Sequence, residues 1–332
     1  MRNLRVASSF SGMGLSGISR ATLSADILLD GESFSQAAKC VLADTDGRFK
    51  FPDFYLYQRK KAGNVLSISA VDRCIALGQT LVSSAVTVDA DDKVLISSVV
   101  TAIANQCGFD GASYSGGAVD KVPSSYVKDK SCESILNSLS ALLGGFWAVR
   151  RQTAGDVLTL KKWAAYDGLV TTSAVSKVTV SSEKGPISRI IAKDTIESET
   201  FDTMGSTDFS QTLKTSADYM TMEQAENILT AYSGKMFFGW SAKAEVSGVV
   251  ELGYAYAVGE GDDAVSYPVG SYTMVPHVGG LGAEIGAPDY TETEWDYYGE
   301  IGKELAKKLT ASTRYGTVSI DADGIKVHGR YK

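Results

Sequence analysis

The sequence predicts an α+β chain that is mainly β, in which a small α/β unit interrupts two strand-rich segments. Three observations predict it. Residue usage is a strand-and-turn vocabulary, with Gly 33 and Tyr 16 against Pro 6 and His 2 in 332 residues. Short alternating apolar runs, bounded by Gly, Asp and Asn, recur along most of the chain. Helical spacing of apolar residues appears only in a few places, first near Ser97. A hydrophobic share of 44% and a charged share of 21% match globular averages and argue against a disordered or membrane-embedded chain. At 332 residues the chain suits two or three compact units better than one core.

Residues 1–95 form the first β segment. After Gly12, Gly14 and Gly17, the alternation of Leu23, Ala25, Ile27 and Leu29 predicts a half-buried strand, closed by a turn at Asp30-Gly31. A segment from Ser35 to Lys39 leads to a second turn cluster at Asp44, Asp46 and Gly47. Phe51–Tyr57 and Val65–Ala70 read as a hairpin whose charged tip holds Arg59, Lys60, Lys61, Gly63 and Asn64.

Residues 96–165 form the inserted α/β unit. Val99, Val100, Ile103, Ala104 and Cys107 recur at helical spacing, and Gly108 stands where a C-terminal cap belongs. A glycine-containing loop follows. A second helix starts near Ser131, carries Ile135, Leu136, Leu139, Leu142 and Leu143 on one stripe, and ends at Gly144-Gly145. Phe146–Val149, a turn at Thr153–Asp156 and Val157–Trp163 make a hairpin.

Residues 166–299 form the second β region, and 300–332 a C-terminal helix and hairpin. Two strands are expected around the Lys184-Gly185-Pro186 turn, and residues 197–220 are polar and aperiodic. Thr221 and Gln224 give a capping box for a helix with Met222, Ala225, Ile228, Leu229 and Tyr232, stopped by Gly234. Strands at Met236–Trp240, Val246–Ala257 and Tyr272–Val275 follow, and glycines 279, 280, 282 and 286 mark a long loop. Ile301, Leu305 and Leu309 predict a helix, and Thr317–Ile320 with Ile325–Val327 a closing hairpin. With no period of about 20–50 residues, a solenoid or propeller is not expected.

The chemistry is sparse, and the chain is expected not to be an enzyme. A net charge of −7 with no basic field argues against sequence-specific nucleic-acid binding. The start, Met1-Arg2-Asn3-Leu4-Arg5-Val6, lacks a signal-peptide core, and no run approaches the ~20 apolar residues of a membrane anchor. Cys40, Cys74, Cys107 and Cys132 lie far apart with no neighbouring His, which suits reduced thiols. His277 and His328 read as loop or surface residues without a nucleophile partner. Glu292 with Glu294, and Asp262 with Asp263, sit where acids are solvated. Asp321, Asp323 and Gly324 resemble the opening of a calcium loop, but Lys332 stands where the bidentate Glu belongs. Gly12-Met13-Gly14-Leu15-Ser16-Gly17 has GxGxxG spacing, but no apolar strand precedes it and a phosphate site needs a helix N-terminus next, so it reads as a flexible arm. Three cations on a hairpin tip, Arg59 to Lys61, are too few for a nucleic-acid footprint. No catalytic, cofactor-binding or metal-ligating residue is therefore predicted.

Several segments, in order, resemble the hub proteins at the tip of phage tail tubes and of related prophage and contractile injection particles. Leu66 to Arg73, followed by Leu77, is similar to the family's strand ending in an Asp-Arg step. Ser97 to Gly108 resembles the helix that opens its inserted α/β domain. Ser131 to Trp147, with Gly144-Gly145 and Phe146-Trp147, resembles the second helix and the hairpin after it. Thr221 to Trp240 and Gly280 to Tyr298 are similar to later helix–strand and strand–loop regions.

The resemblance implies small tube-like β-barrels in residues 1–95 and 166–299, and a ring, commonly a homotrimer. It also implies the partners: the tail tube or distal tail protein, a spike or fibre, and a tape-measure protein. The place implied is the tail of a virion or phage-like particle, made in the host cytoplasm. Two alternatives stay open: a neighbouring distal tail protein, and a cell-wall or carbohydrate-binding β protein that stacks sugars on Trp240, Trp295, Tyr297 and Tyr298.

Overall fold

The computed structural model describes residues 2–9, 16–29, 39–40, 51–114, 117–153, 155–162, 174–180, 186–205, 211–235, 239–246, 248–258, 265–277, 280–287, 316–321 and 324–329. The chain is mainly β with three α-helices among these residues, the α+β class the sequence predicts.

β1 (Arg2–Ser9) and β2 (Thr22–Leu28) pair antiparallel, with Val6 opposite Leu23. β3 (Lys39–Cys40) lies beside β4 (Phe54–Ala62), which turns into β5 (Val65–Val71). The hairpin tip is tighter than expected. Gly63, at φ 59°, supplies the left-handed turn conformation at once, so Arg59, Lys60 and Lys61 stay in β4, opposite Ile68, Ser67 and Leu66.

β6 (Lys93–Leu95) leads into α1 (Ile96–Gln106); β7 (Gly111–Ser113) and β8 (Lys121–Pro123) precede α2 (Cys132–Leu143). Both helices form where the 3.6-residue period put them. α2 starts because Ser131 Oγ accepts from Ser134 N at 3.1 Å, and stops because Gly144 takes φ 66°. Its stripe of Ile135, Leu136, Leu139, Leu142 and Leu143 is fully buried, each side chain contributing about 1.5–3 kcal/mol by transfer. The hairpin of β9 (Phe146–Gln152) and β10 (Gly155–Lys161) then forms a three-stranded sheet, with β7 joining β10 in parallel.

β11 (Ala174–Val180) and β12 (Ile187–Asp194) are both strands, but they do not pair with each other. β12 takes its neighbours from the stretch that looked aperiodic, β13 (Thr200–Met204) and β14 (Gln211–Ala217). β13 escapes an apolar-period search because it is an edge strand, with Thr200, Asp202 and Met204 exposed. α3 (Met222–Tyr232) packs on β12, and only half of its capping box forms. Thr221 Oγ1 accepts from Gln224 N at 3.2 Å, but the buried Gln224 amide turns away to α2, donating to Leu142 O and accepting from Ala118 N, both at 2.9 Å.

β15 (Trp240–Val246), the small hairpin of β16 (Ala255–Val258) and β17 (Val265–Pro268), β18 (Ser271–His277) and β19 (Gly280–Gly286) follow. The glycine-rich stretch expected to be a loop is the strand β19. Its Leu281, Ala283 and Ile285 face the core, and a Cβ on Gly286 would stand 2.6 Å from the Trp240 carbonyl oxygen. Glycine here permits a close strand approach. The chain closes on the hairpin of β20 (Gly316–Asp321) and β21 (Gly324–Gly329), as the sequence indicates. The helix expected at Ile301, Leu305 and Leu309 lies outside the described residues.

One nine-stranded sheet, ordered β11-β15-β19-β18-β1-β2-β5-β4-β3, holds strands from both the 1–95 and the 166–299 segments, with β1 hydrogen-bonded to β2 on one side and β18 on the other. The implied barrels are not closed. Among the described residues β11 and β3 share no ladder, and closure requires one between the first and last strands. One face of the sheet carries Val6, Leu23, Ala25, Ile68, Met274 and Ile285, all buried in the shared core. On the strands, apolar and polar residues alternate, so the opposite face is solvated.

Candidate functional site

The densest chemistry lies where the β9–β10 hairpin and residues 248–254 meet the sheet. Asp156 is fully buried and accepts from Arg151 Nη1 at 2.8 Å and from the Asp53 backbone N–H at 3.0 Å. The Asp53 carboxylate stands 3.5 Å from the same guanidinium. Asp156 N donates to Asp110 Oδ2 at 2.8 Å, and Gly155, at φ 131°, leaves that carboxylate room, since a Cβ would fall 2.0 Å from it.

A second charged group sits on the next strand positions. Lys161 Nζ donates to Glu251 Oε2 at 2.5 Å and to Leu252 O at 3.3 Å, and lies 4.6 Å from the centre of the Tyr254 ring. Arg150 Nε donates to the other Glu251 oxygen at 3.3 Å. Burial pushes the Lys161 amine below its ordinary pKa, and Glu251 partly offsets this. The cavity beside these groups has a volume of about 50 Å³ and is lined by Ser8, Ser19, Asp72, Arg150, Lys161 and Glu251. That is room for a few waters, not for a cofactor.

Asp72 explains the Asp-Arg step singled out in the sequence. Its carboxylate accepts from Ala21 N at 2.7 Å and Cys74 N at 3.0 Å, tying the start of β2 to the 3-10 turn at Arg73–Gly78. Burial raises its pKa to about 6, against the pull of those two hydrogen bonds. Arg73 lies 4.9 Å over the Tyr55 ring. The step is a fastener between strand, turn and hairpin.

The remaining candidates do not converge. His277 ends β18 opposite Gly280, and His328 lies on β21 opposite Thr317, in different sheets. Among the described residues no three His, Cys, Asp or Glu are grouped to hold a metal. Asp321 pairs with Gly324 at the end of the last hairpin. Gly17, at φ 98°, docks on β9 and α2: Trp147 N donates to Gly17 O at 2.9 Å, and Gly17 N to Ser140 Oγ at 2.8 Å. Cys74, Cys107 and Cys132 are buried free thiols, and Cys40 lies in β3. Trp240 is only 5% exposed, so it is core and not a sugar platform. Gly12 to Leu15, Asp262, Asp263, Glu292, Glu294, Trp295, Tyr297, Tyr298 and Asp323 lie outside the described residues.

What the fold offers to partners is therefore surface and strand edges. The solvated sheet face carries small hydroxyls and charges of both signs: Ser67 Oγ and Asn3 Nδ2 donate to Asp26 at 2.6 and 2.7 Å, and Lys243 lies 3.4 Å from Glu284. β11 and β3 are the outermost strands of the large sheet, and an uncovered outer strand is a template for another chain. Among the described residues no helix is long and apolar enough to cross a membrane.

No protein-family model matches the sequence, and no curated protein matches it. Solved structures do. The fold is similar to the 43 kDa tail protein of prophage MuSo2 from Shewanella oneidensis, at 10% identity and a TM-score of 0.51, over 86% of this chain and 93% of that one. It is equally similar to prophage tail protein gp18 from Listeria monocytogenes, at 10% identity and a TM-score of 0.51, over 91% of this chain and 92% of that one. The fold is thus one that prophage tail proteins also have. At this identity the likeness is one of architecture and not of shared residues.

Proposed function

We propose that the chain is a structural, non-catalytic subunit of a phage or phage-like tail. Within the tail we assign it the hub position. Copies of the chain, three by this reading, form a ring that joins the tail tube or distal tail protein to a spike or fibre, beside the tape-measure protein. DNA or other cargo passes through the ring.

The observation that carries this reading is a fold likeness to a tail protein that spans 91% of this chain. Two further features support it. The buried Asp156 is bound to Arg151 and to backbone donors of the chain itself, and so serves the fold. The net charge of −7 suits a passage that a polyanion crosses without capture.

The test is to mix the purified chain with its tube protein and image the product by electron microscopy. The hub reading expects a ring that caps one end of the tube and also binds the spike or fibre. Binding to neither component would overturn it, and binding between tube and another ring would move it to the distal tail position.

A further inference from the structure

Two open strand edges of opposite charge lie on different sheets of the molecule. The first is the outer side of β4. β3 covers only Phe54 and Tyr55, and among the described residues no strand pairs with β4 beyond them on that side. Ala62 and Val65 flank the two-residue turn at Gly63-Asn64, so they exchange hydrogen bonds, and such pairs alternate along a hairpin. Lys60 therefore bonds to β5, while Arg59 and Lys61 turn their N–H and C=O groups outward. Residues 58–62 are all exposed, so this edge presents three successive cations on a chain of net charge −7.

The second is the outer side of β13, at the margin of the sheet β13-β12-β14. Asp194 N donates to Glu199 O at 2.9 Å and Gly205 N to Ser188 O at 2.7 Å, so the odd-numbered residues of this strand bond to β12. Thr200, Asp202 and Met204 turn their backbone groups outward. The exposed acids Glu197 and Glu199 lie just before the strand, and Glu223 and Glu226 lie on α3, which packs against it; the nearby cations are Lys193 and Arg189, which holds Asp202. Apolar groups stand among them, with Ile196 56%, Met204 60% and Met222 44% exposed, and Thr203 Oγ1 donates to Met222 Sδ at 3.1 Å.

We infer that β13 of one copy of the chain receives β4 of a second copy as an added strand. The inference rests on the ring reading above. A ring of identical copies needs two different and complementary surfaces on each copy, and these edges match in backbone groups, charge and length. In the antiparallel register that sets Arg59 opposite Asp202, Lys61 lies diagonal to Asp202 and Lys60 diagonal to Glu199. Tyr57, 59% exposed, reaches the level of Met204, and Gln58 stands opposite Thr203. The cations also act against the wrong pairing, since like charges keep β4 from the β4 edge of another copy and direct it to an acidic one.

The test uses two preparations of the full chain, Gln58→Cys and Thr203→Cys, each with its fold checked by circular dichroism. They are mixed alone and with tube protein, oxidised gently, and mapped without reductant, so that a link between the two positions can arise only between copies. The expected result is a disulfide joining the two substituted positions, as facing cross-strand residues allow. Reversing Lys60→Glu and Lys61→Glu together should weaken self-association by about tenfold in light scattering, and adding Glu199→Lys should recover part of the loss. An assembled ring in which the two positions do not link, or whose mass is indifferent to the reversal, overturns this inference and leaves the ring reading standing. A single chain under every condition overturns both.

Discussion

Asp53 and Asp156 stand 103 residues apart in sequence, yet the Asp53 backbone N–H donates to the Asp156 carboxylate at 3.0 Å. This bond, with Arg151, fixes the β9–β10 hairpin to the large sheet. Asp156→Ala would leave the Arg151 guanidinium only the longer contact to Asp53, and would strand a buried backbone donor. Allowing for the partial exposure of Arg151, we expect a loss of about 2–4 kcal/mol in urea unfolding. A change near zero would mean that the junction does not hold the two parts together.

Gln224 bridges α3 to α2 and to the loop at Ala118. Gln224→Leu keeps the volume but leaves the Leu142 carbonyl and the Ala118 N–H without their partner. We expect a cost of about 2–3 kcal/mol, read from the denaturation midpoint at unchanged slope. Thr221→Ala, which removes only the cap, should cost about 1 kcal/mol.

Asp72 gives the fold a pH signature. Its folded pKa of about 6 lies above the ordinary aspartate value, so folding favours the protonated form. Its stabilising contribution is full below about pH 4 and is lost as the pH rises through about 6. Wild type should therefore gain up to ~2–3 kcal/mol on Asp72→Asn between pH 7 and pH 4. Unfolding free energies that run parallel for the two proteins across this window would contradict the burial of an ionisable Asp72.

Gly144 combines a left-handed backbone with a tight neighbour. A Cβ there would lie 2.5 Å from Ile228 Cγ1, whereas at Gly63 nothing lies within 4 Å. Both substitutions to Ala pay the positive-φ strain of about 1 kcal/mol, and only Gly144→Ala adds displacement of α3. Gly144→Ala should melt several degrees below Gly63→Ala by circular dichroism.

The helices were legible in the sequence because their signals are local. Ser131, the Leu139–Leu143 stripe and Gly144 lie within one stretch of chain and fix start, face and stop together. β13, β14 and β19 were not legible, since a polar edge strand and a glycine-bearing central strand lack the apolar alternation that marks a half-buried one. Pairing was hidden for another reason. Nothing near Val6 says that Met274 lies opposite it, and β11 and β12, adjacent in sequence, belong to different sheets. The same holds for the charged junction: Asp156 looked like a turn residue because its partners, Asp53 and Asp110, come from distant segments. The Asp72-Arg73 step was visible as a motif, but its work on Ala21 and Tyr55 needed the fold.

The central claim is that this chain builds a ring in a tail. The most direct measurement is the mass of the purified chain by light scattering, over a range of concentrations and in the presence of its tube protein. A discrete species of three chains, persisting on dilution and binding the tube protein, is the result expected. A single chain at every concentration, with no uptake of tube protein, would contradict it.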